Sequence, residues 1–328
     1  MRFIIYGAGA IGGTIGARLF QHGREVVLIA RGAHFEAIKE RGLVFKTPRE
    51  SVVLAIPCVS HPSEIAFHPD DVVFMCTKTQ DSLEALNALR AAAGEETPVV
   101  CAQNGVTNER MALRRFENVY GMVVMLPASH LEPGVVQAES TTMTGILDAG
   151  RFPSGTDSRI GEITAALAAS RFSSLADGRV MRWKYTKLLR NLGNALQALC
   201  EPSGAEGQDV LRLATREALA CYQAAGIDSA SREEEAARRA DHVQTAPVEG
   251  RTRGGGSSWQ SIARGAGSIE VDYLNGEIVF LGRLNNVPTP ANRVLQQMAN
   301  RLVLEGGRPG SYTLDQVRER IVQAGGRF

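Results

Sequence analysis

One run near the N-terminus narrows the fold more than any other: "RFIIYGAGAIGGTIGARLFQHGREVVLIARG", residues 2–32. Residues 2–6 read as a short apolar strand, the Gly-rich turn opens a helix ending near Gly23, and residues 25–30 read as a second strand. Strand, helix, strand in that order implies a parallel βαβ unit. Within it Gly7-Ala8-Gly9-Ala10-Ile11-Gly12 fits GxGxxG in the strand-to-helix context that the motif requires. The first glycine permits the tight turn, the second lets a pyrophosphate approach the backbone, and the third lets helix and strand pack closely. Free N–H groups and the dipole at the helix N-terminus then favour phosphate. The alternative is a purely structural glycine turn.

A site for NAD places an acid near the end of the second strand, to hold the ribose 2′-hydroxyl. Here that strand ends Ala30-Arg31. A guanidinium suits a 2′-phosphate, so the pattern favours NADP, the alternative being an ordinary surface arginine. Further strands are expected at 51–59, 71–77 and 98–103, with a helix at about 79–93. The second and third of these strands lead to Lys78 and Asn104. Ligands of open parallel sheets lie beyond the carboxyl ends of strands, so both are cofactor candidates as well as candidate turn residues.

Shorter strands, some of them antiparallel, are expected at 118–126, 134–139 and 142–147, and a helix near 157–170. After about residue 177 the texture changes: 182–200, 207–225, 230–244, 268–285 and 289–304 all read as helices. The expected architecture is α/β, an N-terminal Rossmann-type dinucleotide-binding domain (1–176) followed by a C-terminal all-helical domain (177–328) for substrate and catalysis. The Gly-rich run 249–259 is expected to cap one helix and lead into the next.

The stretch "RWKYTKLLRNLGNALQAL" (182–199) places Lys187, Asn191 and Asn194 on one stripe, opposite Leu188, Leu192, Leu196 and Leu199. Asn and Gly cost a helix roughly 0.5–1 kcal/mol each relative to Ala, so the stripe either faces water or serves a site. A formal net charge of +1 argues against nucleic acid or an anionic membrane as partner. Five scattered cysteines without a CxxC pair suit reduced thiols rather than a disulfide framework or a metal site. With no leader-like or bilayer-spanning run, the chain is expected to be soluble and cytoplasmic.

These pieces, GAGAIGG with ARG after the second strand, TK at 77–78, QNG at 103–105, KLLRN at 187–191 and SSW…SIEVDYLNGE at 257–277, resemble the ketopantoate reductase (2-dehydropantoate 2-reductase) family in order and over nearly the whole chain. The resemblance implies an NADP-dependent enzyme of pantothenate biosynthesis that reduces a small 2-oxo acid to the 2-hydroxy acid, in a cleft between its two domains. It implies Lys187 as general acid, Asn191, Ser258 and Glu270 as residues that hold or orient substrate, and Asn104 as a contact to both cofactor and substrate. Lys184 is the rival acid. It lies seven residues from Asn191 against four for Lys187, and otherwise reads as a helix-surface residue. Asp272 is the alternative carboxylate to Glu270.

Three departures bear on substrate identity. Ala195 stands where the family often has a second Asn, with Asn194 one residue earlier as its candidate replacement. Ser203-Gly204 is the candidate to stand where an Asn-Gly commonly follows. The charged run 231–244 is unlike shorter family members. The other readings are a related two-domain NADP-dependent dehydrogenase acting on a different oxo acid, and a non-catalytic NADP-sensing protein. A homodimer is compatible with all three.

Overall fold

The computed structural model describes residues 1–201, 205–250 and 254–328. It divides into two compact units, Met1–Lys184 with Arg232–Arg253, and Tyr185–Ser231 with Gly254–Phe328.

The first unit opens with β1 (Arg2–Tyr6), α1 (Ala10–Gln21), β2 (Glu25–Ile29) and α2 (Gly32–Arg41). Then come β3 (Leu43–Lys46), β4 (Ser51–Leu54), β5 (Cys58–Val59) and β6 (Asp71–Met75). They are followed by α3 (Ser82–Ala93), β7 (Val99–Cys101), α4 (Asn108–Leu113) and β8 (Val119–Met122). The short strands β9 (Ala128–Ser129), β10 (Val135–Ala138) and β11 (Ala149–Arg151) precede α5 (Ser158–Ala169). Next comes α6 (Val180–Asn191), within which the division between the units falls.

The larger sheet has the order β11-β8-β7-β6-β1-β2-β5, and its members from β8 to β5 run parallel. Its inner strands are apolar on both faces because both faces are covered. Phe3, Ile5, Leu28 and Phe74 enter one core, and Ile4, Tyr6, Val73 and Met75 enter the other. A smaller sheet, β4-β3-β10-β9, packs on the other side of α1. Sandwiched in this way, α1 is buried all round from Gly12 to Leu19. Glycines supply the clearance: a Cβ on Gly13 would lie 2.8 Å from Val136 and one on Gly16 2.7 Å from Leu28.

Several expectations need correction, among them the helix over 268–285, which is a 3-10 turn at Glu270–Tyr273 and then a separate helix at Asn275–Leu284, and that over 230–244, which is a helix at Arg232–Arg239 and a 3-10 turn at Ala240–His242. The run 51–59 is two strands in different sheets. Residues 51–54 form a hairpin with β3, and after Pro57, which has no N–H for a ladder, 58–59 join β2. Residues 142–147 form no strand, and Ile146 makes only isolated bridges to Met125 and Ser173. The helix expected over 182–200 is two, α6 and then α7 (Gly193–Cys200).

The second unit continues with α8 (Gln208–Ala225). Next in the chain, α9 (Arg232–Arg239) belongs to the first unit. There Arg238 makes two 2.6 Å bonds to Asp148, and Arg182 pairs with Glu234 at 2.7 Å. The charged run is thus anchored to the sheet domain. The second unit is completed by α10 (Ser257–Ala263), α11 (Asn275–Leu284), α12 (Pro290–Leu304) and α13 (Leu314–Gln323), around a core that includes Leu196, Leu199, Leu213, Leu295 and Ile321. Burying a side chain of this size contributes about 1.5–3 kcal/mol. No helix among the described residues is long and apolar enough to cross a membrane.

Candidate functional site

Because β7, β6, β1 and β2 are neighbours and parallel, their carboxyl ends lie side by side. Asn104 follows β7, Lys78 follows β6, Gly7 follows β1 and Arg31 follows β2. The four sequence candidates of this unit therefore line one sheet edge in that order. Arg31 is exposed, and residues 30–33 of this strand end, Ala-Arg-Gly-Ala, include no carboxylate.

Each motif glycine has a separate physical reason. Gly7 has φ +102°, and a Cβ there would sit 2.8 Å from Thr77 N. A Cβ on Gly12 would strike the Gly7 carbonyl and Cys76. A Cβ on Gly9 would meet nothing within 4 Å. The second glycine thus borders open space, as close approach of a pyrophosphate to the backbone requires. Gly13 N donates to Gly9 O at 2.7 Å, so the N–H groups of Ala10, Ile11 and Gly12 precede the first helical bond. The residues present fit a dinucleotide.

The turn is braced. Gly7 N and Ala8 N donate to Ile29 O at 3.0 and 3.2 Å. His34 accepts from Gly134 N at Nδ1, so Nε2 carries its proton and donates to Ala8 O at 2.8 Å. The neighbouring strand ends are braced too. Gln103 donates to Thr77 O (2.8 Å) and Ser82 Oγ (2.7 Å), and Asn108 donates to Asn104 O and Thr79 Oγ1 at 3.2 Å.

Lys184 is not a helix-surface residue. It is 3% exposed, and its ammonium donates to Gln103 O at 2.9 Å and pairs with Glu109, itself 0% exposed, at 2.5 Å. It fastens the first turns of α6 to the strand end that carries Asn104. The Cys101 carbonyl, at 3.4 Å, is its third polar neighbour.

In the second unit Lys187 is half-buried on α6. Asn191 is buried, and its Oδ1 has no hydrogen-bond partner among the described residues. Asn194 lies beyond the helix break and donates to Ser257 Oγ at 3.2 Å. Gly256 N donates to Gln197 at 2.8 Å, which seats the start of α10, and with it buried Ser258, against α7. Glu270 is buried in a short 3-10 turn, Glu270–Tyr273. Asp272 is exposed and tied to Gln296 and Asn300 at 2.7 Å. Of the two carboxylates only Glu270 is an interior group. Ser203 and Gly204 lie outside the described residues.

The model of the family described as ketopantoate reductase PanE/ApbA matches residues 3–152, and that of the family's C-terminal domain matches residues 179–303. The chain belongs to the ketopantoate reductase family. It is accordingly a dinucleotide-dependent oxidoreductase. A 2-dehydropantoate 2-reductase of Pyrococcus horikoshii is 27% identical, covering 94% of this chain and 99% of its own. A crystal structure of a PanE/ApbA family ketopantoate reductase from Ralstonia eutropha is 29% identical with a TM-score of 0.78, over 93% of this chain and 99% of that one. A ternary structure of D-mandelate dehydrogenase with NADH and anilino(oxo)acetate, 23% identical, shares the fold with a TM-score of 0.80 over 93% and 99% of the two chains. The parallel-sheet domain and helical C-terminal portion are those of this reductase family.

The sequence reading passed over His34, Gln103, Asn108, Glu109 and the burial of Lys184. Gln103 and Lys184 stand in motifs already singled out, beside Asn104 and Lys187. Nothing local marks His34 or Glu109, since their partners are distant in the chain.

Proposed function

We propose that this protein reduces a 2-oxo acid, ketopantoate or a close relative, to the 2-hydroxy acid with NADPH, in pantothenate biosynthesis. The observation that carries the reading is the full-length similarity to the Pyrococcus horikoshii 2-dehydropantoate 2-reductase. Arg31, exposed after β2 at a strand end without an acid, supports the choice of NADPH. Residues of the Gly7–Gly12 turn, Lys78 and Asn104 would hold the rest of the dinucleotide, which supplies a hydride when bound.

Hydride addition to a carbonyl carbon leaves charge on its oxygen. Lys187 donates a proton to that oxygen and stabilises the charge as it develops. Asn191, Asn104 and the hydroxyl of Ser258 orient the substrate's carboxylate and hydroxyl groups, since amide and hydroxyl side chains both donate and accept. The buried Asn191 Oδ1, without a partner among the described residues, is an acceptor suited to a substrate hydroxyl. Glu270 orients a substrate hydroxyl or the Lys187 ammonium.

A different oxo acid is the second reading. Asn194 spends an amide hydrogen on Ser257, and Ala195 supplies no amide, so the substrate contacts differ from the family's common pattern. Mixing the protein with NADPH and ketopantoate and following nicotinamide absorbance tests the main reading. Turnover of ketopantoate no faster than that of a panel of other 2-oxo acids would favour the second, and no turnover of any would favour a sensing protein.

A further inference from the structure

A polar cavity of about 200 Å³ lies in the first unit at the far end of α1 from the glycine turn. Arg18, nine residues beyond Gly9, is in its wall, which places it about 13 Å along the helix axis from the turn. The rest of the lining comes from the β3–β4 hairpin (Thr47, Arg49, Glu50), from Ser140 to Thr144 after β10, and from Arg171 after α5.

Two of the wall's hydroxyls are already spent, Thr141 and Thr142 donating to Gln244 O (3.1 Å) and His242 O (2.7 Å). Glu50 is already neutralised, its oxygens taken by Arg18 (2.5 Å) and Gln21 (3.2 Å). Arg49 and Arg171, both exposed, make no ion pair among the described residues, which leaves two unpaired guanidinium groups in the wall. Thr47 Oγ1 accepts from the Arg49 and Glu50 N–H groups, and Thr144 Oγ1 accepts from Arg18 Nε. Both hydroxyls keep a proton to donate. Ser140 is 8% exposed, and its hydroxyl has no partner among the described residues. A buried polar group in that state calls for a partner, whether a water or a ligand.

The wall is also held in place. Thr141 N and Met143 N donate to Gln244 O (2.8 Å) and His242 O (3.1 Å). Arg171 has φ +66°, a conformation that suits glycine better than a side chain bearing Cβ.

We infer that this cavity is a second ligand site, for a phosphate group carried by inorganic phosphate or by a small phosphate monoester. A tetrahedral dianion matches two unpaired guanidinium groups and the uncommitted hydroxyls of Thr47, Ser140 and Thr144 better than a carboxylate, which has fewer acceptor positions and half the charge. The volume exceeds that of phosphate alone, so a monoester with a few further atoms fits.

The test is thermal unfolding of the full chain titrated with phosphate, or with glycerol 3-phosphate, at constant ionic strength set with chloride. A ligand that binds only the folded state raises Tm saturably. The expected result is a saturable rise that survives Arg31→Ala and is lost in Arg49→Ser and in Arg171→Gly, each weakening affinity by about tenfold or more. Arg49 is exposed and glycine suits φ at 171, so both variants should fold. A tighter response to glycerol 3-phosphate identifies a monoester site, and an equal one a site for the phosphate group itself. No saturable rise, or a rise abolished by Arg31→Ala and kept in both cavity variants, overturns the assignment.

Discussion

At the scale of single residues, Lys184 and Arg31 illustrate opposite demands on a cation. Lys184 lies in the interior against Glu109. Removing one member of a buried pair strands the other charge, at a cost of about 3–5 kcal/mol. Lys184→Met should therefore lose that much stability in urea unfolding, and Lys184→Met with Glu109→Gln should recover much of it. A single variant within about 1 kcal/mol of wild type, the usual worth of an exposed pair, would show that the ammonium is solvated. Arg31 is exposed, and its proposed work is selective. Arg31→Ala should weaken NADPH binding about tenfold or more, the worth of a charge-assisted bond, and leave NADH binding nearly unchanged. Equal losses for both cofactors, measured by fluorescence titration, would remove the argument for a 2′-phosphate.

At the scale of elements, the glycine turn separates folding from binding within one motif. Gly9 has room for a methyl group and φ −68°, whereas a methyl on Gly12 collides with the Gly7 carbonyl. Gly9→Ala should keep Tm close to wild type and lose dinucleotide affinity, while Gly12→Ala should lower Tm outright. The reverse order in calorimetry would mean that the open space beside Gly9 is not where phosphates lie. The break between α6 and α7 is also built. Asn275 donates to Leu192 O at 3.2 Å and to Asn292 at 3.1 Å, and Asn292 reaches Ala214 O and Glu217. Asn275→Ala leaves the Leu192 carbonyl without this donor, a loss of about 1–3 kcal/mol. It should also raise KM for the oxo acid, because Asn191 and Asn194 flank the break. An unchanged KM alongside lowered stability would confine Asn275 to folding.

At the scale of the whole molecule, what could be read in advance was whatever is local. The β1-α1-β2 unit was legible because two short apolar strands, the glycine spacing and the helix start fall within one short run. Arg31, Lys78 and Asn104 were legible because each ends a strand of one parallel sheet. The burial of Lys184 was not, because Glu109 and the Gln103 carbonyl come from far earlier in the chain. Nor was the interruption at Leu192, held by asparagines from later helices. The run 51–59 misled because hydrophobic pattern does not say which sheet a strand joins.

Lys187 is proposed to supply the proton while a separate part of the chain holds NADPH. The most direct measurement is steady-state reduction of the best oxo acid by the Lys187→Ala enzyme, with NADPH affinity measured in parallel by fluorescence. The expected kcat is lower by roughly 10²–10⁴-fold, the worth of a positioned acid, with cofactor affinity nearly intact. Turnover within about threefold of wild type, less than 1 kcal/mol in barrier, would contradict it and place the acid elsewhere.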